Sequence, residues 1–160
     1  MRKLVIDGKT ITDDGDCFVI AEVGHNHQGK LETAKEMFRV AKDCGADAVK
    51  LQKRDNRQLY TQAGYDKPYD LENSFGLTYG EHREALEIGL DEYSELMAYA
   101  KEIGITMFST AFDYPSADFL EKLDVPAYKI ASGDLKSKPL LTYIAKFQIH
   151  MLLSTGGGTL

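Results

Sequence analysis

Apolar residues recur along this chain in short blocks separated by glycine-rich and charged stretches. Cys17-Phe18-Val19-Ile20-Ala21 is a continuous apolar run and predicts a strand covered on both faces. Leu31, Ala34, Met37, Phe38, Ala41 and Cys44 follow a helical period, and Gly45 stands where that helix should end. Ala48 to Leu51 is the second predicted strand. A second helix presents Tyr93, Leu96, Met97, Ala100 and Ile103, with Asp91 as its expected N-cap and Gly104 as its stop. Ile105 to Ser109 is the third strand. Ser116 is the expected cap of a short helix carrying Phe119, Leu120 and Leu123. Ala127 to Ile130 is the fourth strand, Pro139 to Ala145 another short helix, and His150 to Leu153 the fifth strand.

Two stretches depart from this beat. Residues 2 to 12 alternate loosely around Asp7-Gly8-Lys9, a tight-turn signal, and predict a small hairpin. Residues 53 to 90 hold many tyrosines, glycines and charges, with Pro68 in their middle. That is far longer than an ordinary βα connection of about 2 to 6 residues. A long loop at this edge of a fold reads as a lid or substrate loop. The expected organisation is a hairpin over residues 1–14 and a β/α domain over residues 15–160 with an inserted loop at 53–90.

A strand–helix beat of this kind predicts parallel strands joined by crossover helices. Thr110, Ser132 and Ser154 lie 22 residues apart, each just after or at the end of a strand. Hydroxyls therefore recur at the carboxyl edge, where α/β folds bind ligands. Two α/β architectures fit: an open doubly wound sheet, and a parallel (β/α)8 TIM barrel of which this chain carries about the first five units. The barrel is favoured. Lys50 and Lys129 sit inside strands that should be buried, and a barrel mouth that binds an anion supplies both with a partner. The stop one loop after a strand leads us to expect further residues beyond Leu160 in the gene.

Composition narrows the function. The 160 residues carry a formal net charge of −6, with no basic stripe to neutralise nucleic-acid phosphates. No apolar run approaches a membrane span, and Gly8 comes too soon for a signal peptide. Cys17 and Cys44 read as reduced, mostly buried thiols, and the expected setting is cytoplasmic.

Lys129 and Lys50 would meet a phosphate or carboxylate as point charges. Thr110, Ser132 and Ser154 would donate to the same anion, and Gly133 and Gly156 would let backbone amides approach it. Each hydroxyl alone could equally be a helix cap. Glu22 would orient a substrate or handle a proton, or serve as ion-pair partner to a lysine. Asn26 and His27 follow it in a loop; His27 either binds ligand or orders that loop. Arg83 would reach a substrate carboxylate, or pin the insertion to Glu81 or Asp113. Lys53 and Arg54 fall on the loop as solvated charges. No metal set is read here, the pair His25/His27 included.

Five segments in order carry a resemblance: Ile20-Ala21-Glu22-Val23-Gly24 with Asn26-His27-Gln28-Gly29; Gly45 to Gln52; Phe108 to Asp113; Val125 to Gly133; and Leu153-Ser154-Thr155-Gly156-Gly157. Together they resemble the sialic acid synthase family over nearly the whole chain. Gln148-Ile149-His150 departs from the family's Gly-Lys-Pro-like turn. The resemblance implies a (β/α)8 barrel that condenses phosphoenolpyruvate with an N-acetylated aldose such as N-acetylmannosamine. The product is a nine-carbon 2-keto sugar acid. It implies a divalent metal, manganese or magnesium, with ligands outside this chain. It implies catalytic roles for Glu22, Lys50 and Lys129. It also implies a homo-oligomer, or pairing with the missing half-barrel. Two rivals stay open: a lysine Schiff-base aldolase and a non-catalytic anion or phospho-sugar binding half-barrel.

Overall fold

The computed structural model describes residues 2–156 and residue 158. The last part of the glycine-rich end, Gly157, Thr159 and Leu160, lies outside the described residues. Two strands, β1 (Lys3–Ile6) and β2 (Lys9–Thr12), form an antiparallel hairpin. The remaining elements are β3 (Ile20–Gly24), α1 (Leu31–Asp43), β4 (Ala48–Lys53), α2 (Asn56–Leu59), α3 (Gln62–Tyr65) and α4 (Tyr79–Ala85). They continue as α5 (Leu90–Ile103), β5 (Thr106–Ala111), α6 (Tyr114–Glu121), β6 (Ala127–Ile130), α7 (Lys138–Ala145) and β7 (His150–Leu153).

The five strands β3 to β7 are parallel and ordered as they occur in the chain. A doubly wound sheet reverses its order at the centre and takes helices on both faces. Here one face of the sheet, with Val49, Leu51, Met107, Tyr128 and Ile130, packs on residues of α1, α5, α6 and α7 in the main core. The other face holds Ala48, Phe108 and Ala127 with Ile6 of the hairpin, and no helix residue. Helices on one face of a sequentially ordered parallel sheet make this part of a (β/α)8 barrel.

The hairpin sits under the amino-terminal ends of the strands. Lys9 Nζ donates to Asp47 O at 2.6 Å, Thr106 Oγ1 donates to Asp7 Oδ2 at 3.0 Å, and Ile6 is fully buried. The opposite, carboxyl edge of the sheet is left to the loops.

Several local expectations are corrected. The first strand begins at Ile20, not Cys17, because Val19 is spent on docking. Its N–H donates to Asp47 Oδ2 at 2.8 Å, its carbonyl accepts from Asp47 and Ala48, and it is 51% exposed. Both cysteines are free and exposed rather than buried. The cap of α5 is Gly89, whose N–H donates to Glu92 Oε2, so Asp91 lies inside the first turn. The cap of α6 is Asp113, which accepts from Ser116 N at 2.7 Å; Ser116 is a buried residue within the helix. At α6 Asp113, a short polar acceptor one turn upstream of Ser116, satisfies the free N–H groups equally well.

The insertion is ordered around three short helices. Thr78 and Glu81 form a capping box at α4. Tyr79 N donates to Lys67 O and Tyr69 N to Leu77 O, folding residues 66–79 back on themselves. Gly80 packs flat on Tyr65, where an added Cβ would lie 2.3 Å from the ring.

Candidate functional site

Strand alternation sends Glu22, Lys50, Gln52, Thr110, Lys129 and Ser154 to the helix-free side of the sheet, toward its carboxyl edge. Glu22 of β3 is in register with Lys50 of β4, and the register shifts just beyond it, toward Gly24 at φ +55°. Lys50 is 6% exposed and forms an ion pair with Glu22, whose side chain is half exposed. Its Nζ also donates to Thr110 Oγ1 at 3.1 Å.

The same geometry recurs two strands along. Lys50 is in register with Phe108 and reaches the hydroxyl two residues further up β5. Lys129 is in register with Leu152 and reaches the hydroxyl two residues further on, Ser154, at 2.5 Å. Lys129 Nζ also donates to Ile130 O at 2.5 Å and, unlike Lys50, has no carboxylate partner among the described residues. Burial, and then the charge of Lys50, lower its ammonium from the ordinary value against the opposing pull of Glu22.

The loops after β6 and β7 meet beside this pair. Ser132 and Gly133 open a single 3-10 turn, and Gly156 approaches so that an added Cβ would lie 3.4 Å from Ser132 Cβ. Ser132, Gly133 and Gly156 line a cavity of about 400 Å³ with Leu135 and Lys136. Ser132 is exposed and unengaged by its own side chain, while Ser154 already holds Lys129. The three evenly spaced hydroxyls therefore occupy three different situations: Thr110 and Ser154 on lysines, Ser132 on the open cavity.

Asn26 donates to Val23 O at 3.0 Å and is exposed. His27 is 1% exposed, and its Nδ1 accepts from Gly29 N at 3.1 Å, which orders the loop. Burial, with His25 beside it, pushes His27 down to about 4. The unfolded imidazole titrates near 6.5, so the unfolded state takes up the proton first as pH falls. Stability from neutral His27 is complete above pH 6.5 and is lost on falling to pH 4, by about 3 kcal/mol. Urea unfolding across that window should show this slope, and His27→Asn should flatten it; an unchanged slope in the variant would refute the assignment.

A buried polar cluster that the sequence reading did not find joins the insertion to these strands. Lys53 is not on a loop. It ends β4 facing the helices, with its ammonium 2.9 Å from Glu87 Oε2, 3.0 Å from Ile88 O and 4.7 Å from the centre of the Phe119 ring. Burial would raise the Glu87 carboxyl, but His25 beside it and the charge of Lys53 hold it below its ordinary value. Arg54 is not solvated either. Its guanidinium stacks 3.7 Å from the Phe112 ring centre and donates to Gln52 Oε1 at 2.7 Å. Gln52 in turn donates to Glu22 Oε1 at 3.2 Å. Arg83 meets neither Glu81 nor Asp113; its Nη2 lies 2.9 Å from His25 Nδ1, which Arg54 Nη1 also approaches at 3.3 Å. A guanidinium can only donate, so His25 Nδ1 is the acceptor and Nε2 carries the hydrogen. That hydrogen faces Gln52 O at 3.1 Å, with Glu87 Oε1 also 3.1 Å away. Alternation from Lys50 was the available signal for Gln52, and His25 was visible only as the neighbour of His27; nothing local in the sequence marks Glu87.

Among the described residues no three His, Cys, Asp or Glu side chains gather as a metal site. No helix among them is long and apolar enough to cross a membrane.

A family model described as the NeuB family matches residues 37–160. N-acetylneuraminate-9-phosphate synthase of Homo sapiens is 42% identical over 149 residues, 93% of this chain and 42% of that protein. The chain thus spans less than half the length of such curated relatives. A solved N-acetylneuraminic acid synthetase from Leptospira borgpetersenii superposes with TM-score 0.81 at 27% identity, over 99% of this chain and 51% of the other. The spore coat polysaccharide biosynthesis protein spsE of Bacillus subtilis does so with TM-score 0.77 at 32% identity, over 99% and 41%.

Proposed function

Because the chain belongs to the NeuB family, we propose that the protein carrying it condenses phosphoenolpyruvate with an N-acetylated aldose to give a nine-carbon 2-keto sugar acid and phosphate. The acceptor is N-acetylmannosamine or a related sugar. It is free or phosphorylated at its far end, the latter as in the 9-phosphate product for which the Homo sapiens relative is named. The observation that carries the reading is the repeated lysine–hydroxyl pair, Lys50 with Thr110 and Lys129 with Ser154, on the open side of the sheet.

In this reading the two ammonium groups hold the phosphate and carboxylate of phosphoenolpyruvate. Thr110, Ser132 and Ser154 add hydroxyls, and Gly133 and Gly156 let backbone come close. Carbon 3 of phosphoenolpyruvate attacks the acceptor's aldehyde carbon, forming the new C–C bond as the carbonyl π pair moves onto the aldehyde oxygen, which takes up a proton to become a hydroxyl. Water adds at carbon 2 and loses a proton, and the C–O bond to phosphate breaks to leave the ketone. Lys50 and Lys129 stabilise charge and placement. Glu22, half exposed and held by Lys50 and Gln52, is positioned to take the proton from water or to orient the acceptor. Asn26 lies at the rim beside it.

A divalent metal, manganese or magnesium, belongs to the proposal but not to these residues. Both ring nitrogens of His25 and Nδ1 of His27 are already engaged within the chain. β3 and β7 each pair on one side only among the described residues, which fits completion of the barrel by further strands or a second copy. A cytoplasmic setting fits the two exposed free thiols.

The lowered ammonium of Lys129 favours one rival, a Schiff-base aldolase. Phosphate release measured with both substrates present tests the proposal, and borohydride trapping with pyruvate tests the rival. We expect release that needs both substrates and no pyruvate adduct by mass spectrometry. A trapped adduct on Lys129 or Lys50 would overturn the condensation reading.

A further inference from the structure

Gln52 stands between two groups of opposite charge. A guanidinium can only donate, so the Gln52 atom that meets Arg54 Nη2 at 2.7 Å is the carbonyl Oε1. The amide nitrogen Nε2 is then left to donate to Glu22 Oε1 at 3.2 Å. Gly24 fits closely over that second contact: a Cβ added there would lie 3.1 Å from Glu22 Oε1 and 3.3 Å from Gln52 Nε2. Turned over, the same amide would set its carbonyl against the Glu22 carboxylate and its N–H groups against the guanidinium. Arg54 thus decides which end of the amide Glu22 receives.

Arg54 is itself held on three sides. β4 and β5 pair Gln52 with Thr110 and Lys53 with Ala111. The next step of that register brings Arg54 to Phe112, whose N–H donates to Lys53 O at 3.4 Å. The guanidinium lies 3.7 Å from the Phe112 ring centre, and its Nη1 lies 3.3 Å from His25 Nδ1. Its charge also reaches Asp134 after β6, where burial raises the carboxyl and Arg54 opposes that rise. Asp134 closes the turn that carries Ser132 and Gly133. An ammonium group in this place would keep the charge but has neither the flat face nor the fork.

Glu22 needs such support. Its side chain is half exposed, Lys50 holds Oε2 alone, and Gln52 holds Oε1. A group that must meet reactants in one direction loses rate when it is misplaced by about 1 Å. We propose that Arg54 is a positioning residue of this site: through Gln52 it fixes the second oxygen of Glu22, and so the direction in which that carboxylate faces the reacting groups, without itself touching substrate. The inference rests on the condensation reading above.

The test combines phosphate-release kinetics with crystallography on the protein at its natural length. Arg54→Lys should lower kcat about tenfold, with the KM of phosphoenolpyruvate within about threefold of wild type. Arg54→Met should lower kcat further; should it fail to fold, Arg54→Lys, which keeps the charge, carries the test. In a Gln52→Met background, where no amide remains to orient, Arg54→Lys should cost less than about twofold. Losses that multiply would overturn the inference, because a general weakening of the fold acts whatever stands at position 52. So would a raised KM for phosphoenolpyruvate at unchanged kcat, which would make Arg54 a substrate ligand. Crystals of Arg54→Lys should show the Gln52 amide and the Glu22 carboxylate displaced from their wild-type places. Both groups unmoved would overturn the positioning role even where turnover cannot be measured. Wild type that releases no phosphate with any N-acetylated aldose would refute the condensation reading, and the displacement alone then decides whether Arg54 orients Glu22.

Discussion

Lys129→Ala, in the protein that carries this chain, is expected to lower kcat/KM for phosphoenolpyruvate by about 1,000-fold with little loss of stability. The two halves of that expectation come from the same geometry. The ammonium group is directed to the open side of the sheet and, among the described residues, donates to Ser154 Oγ and Ile130 O. Removing it leaves Ile130 O still accepting from Ser154 N, frees the hydroxyl of half-buried Ser154 and strands no charge, so unfolding free energy should change by no more than about 1 kcal/mol. In the proposed reaction, by contrast, it faces an anion whose charge must be held while phosphate departs. Loss of one such preorganised group typically costs about 100- to 1,000-fold. Lys50 offers no such clean test, because Lys50→Ala leaves Glu22 without its cation. Steady-state phosphate release and urea unfolding on the same variant check both halves. Turnover within about threefold of wild type would remove Lys129 from the site.

Glu87→Ala is expected to cost the fold about 3–5 kcal/mol. Glu87 is the counter-ion of Lys53 and lies beside His25, on which Arg54 and Arg83 converge. The Lys53 side chain is 12% exposed and cannot turn out to water, so truncation strands a buried ammonium group. The insertion, tied to β4 through Glu87, should loosen first, visible as hydrogen exchange over residues 79–89. The pH dependence has a definite sign. The folded carboxyl lies below its ordinary value, so its stabilisation is present above the unfolded value near 4.5. It is lost as pH falls through the lower folded value. Glu87→Gln should remove this acid-side loss. A change below about 1 kcal/mol in Glu87→Ala would mean that water already reaches the cluster.

Much of this molecule was legible in one dimension. The apolar runs at 127–130 and 150–153 are β6 and β7 to the residue, and the helical period from Leu31 ends at Gly45 as its left-handed φ of +85° requires. The beat of strand and helix implied parallel strands, and the 22-residue spacing marked hydroxyls at one edge. These are local properties, set by periods of 2 and 3.6 residues, and they survive without knowledge of what lies opposite. Element edges and caps were less legible, because Asp91 and Ser116 are as good on paper as Gly89 and Asp113.

What only the tertiary structure decided is which partner each polar group has. Lys50 and Lys53 lie three residues apart on one strand, yet one faces the open side with Glu22 and the other the helices with Glu87. The sequence offered Lys50 as a site residue and Lys53 as solvent-exposed, since it could not say where β4 ends. The partners themselves are 28 and 34 positions away in the chain. His25 meets Gln52, Arg54, Arg83 and Glu87 only after β3 and β4 have paired in a shifted register and the insertion has folded back. A single-residue slip in that register would move every one of these side chains to the other face. The amino-acid order determined the strands, the edge and the residue types available for chemistry. Strand register and loop closure, which depend on contacts distant in sequence, determined which charges meet.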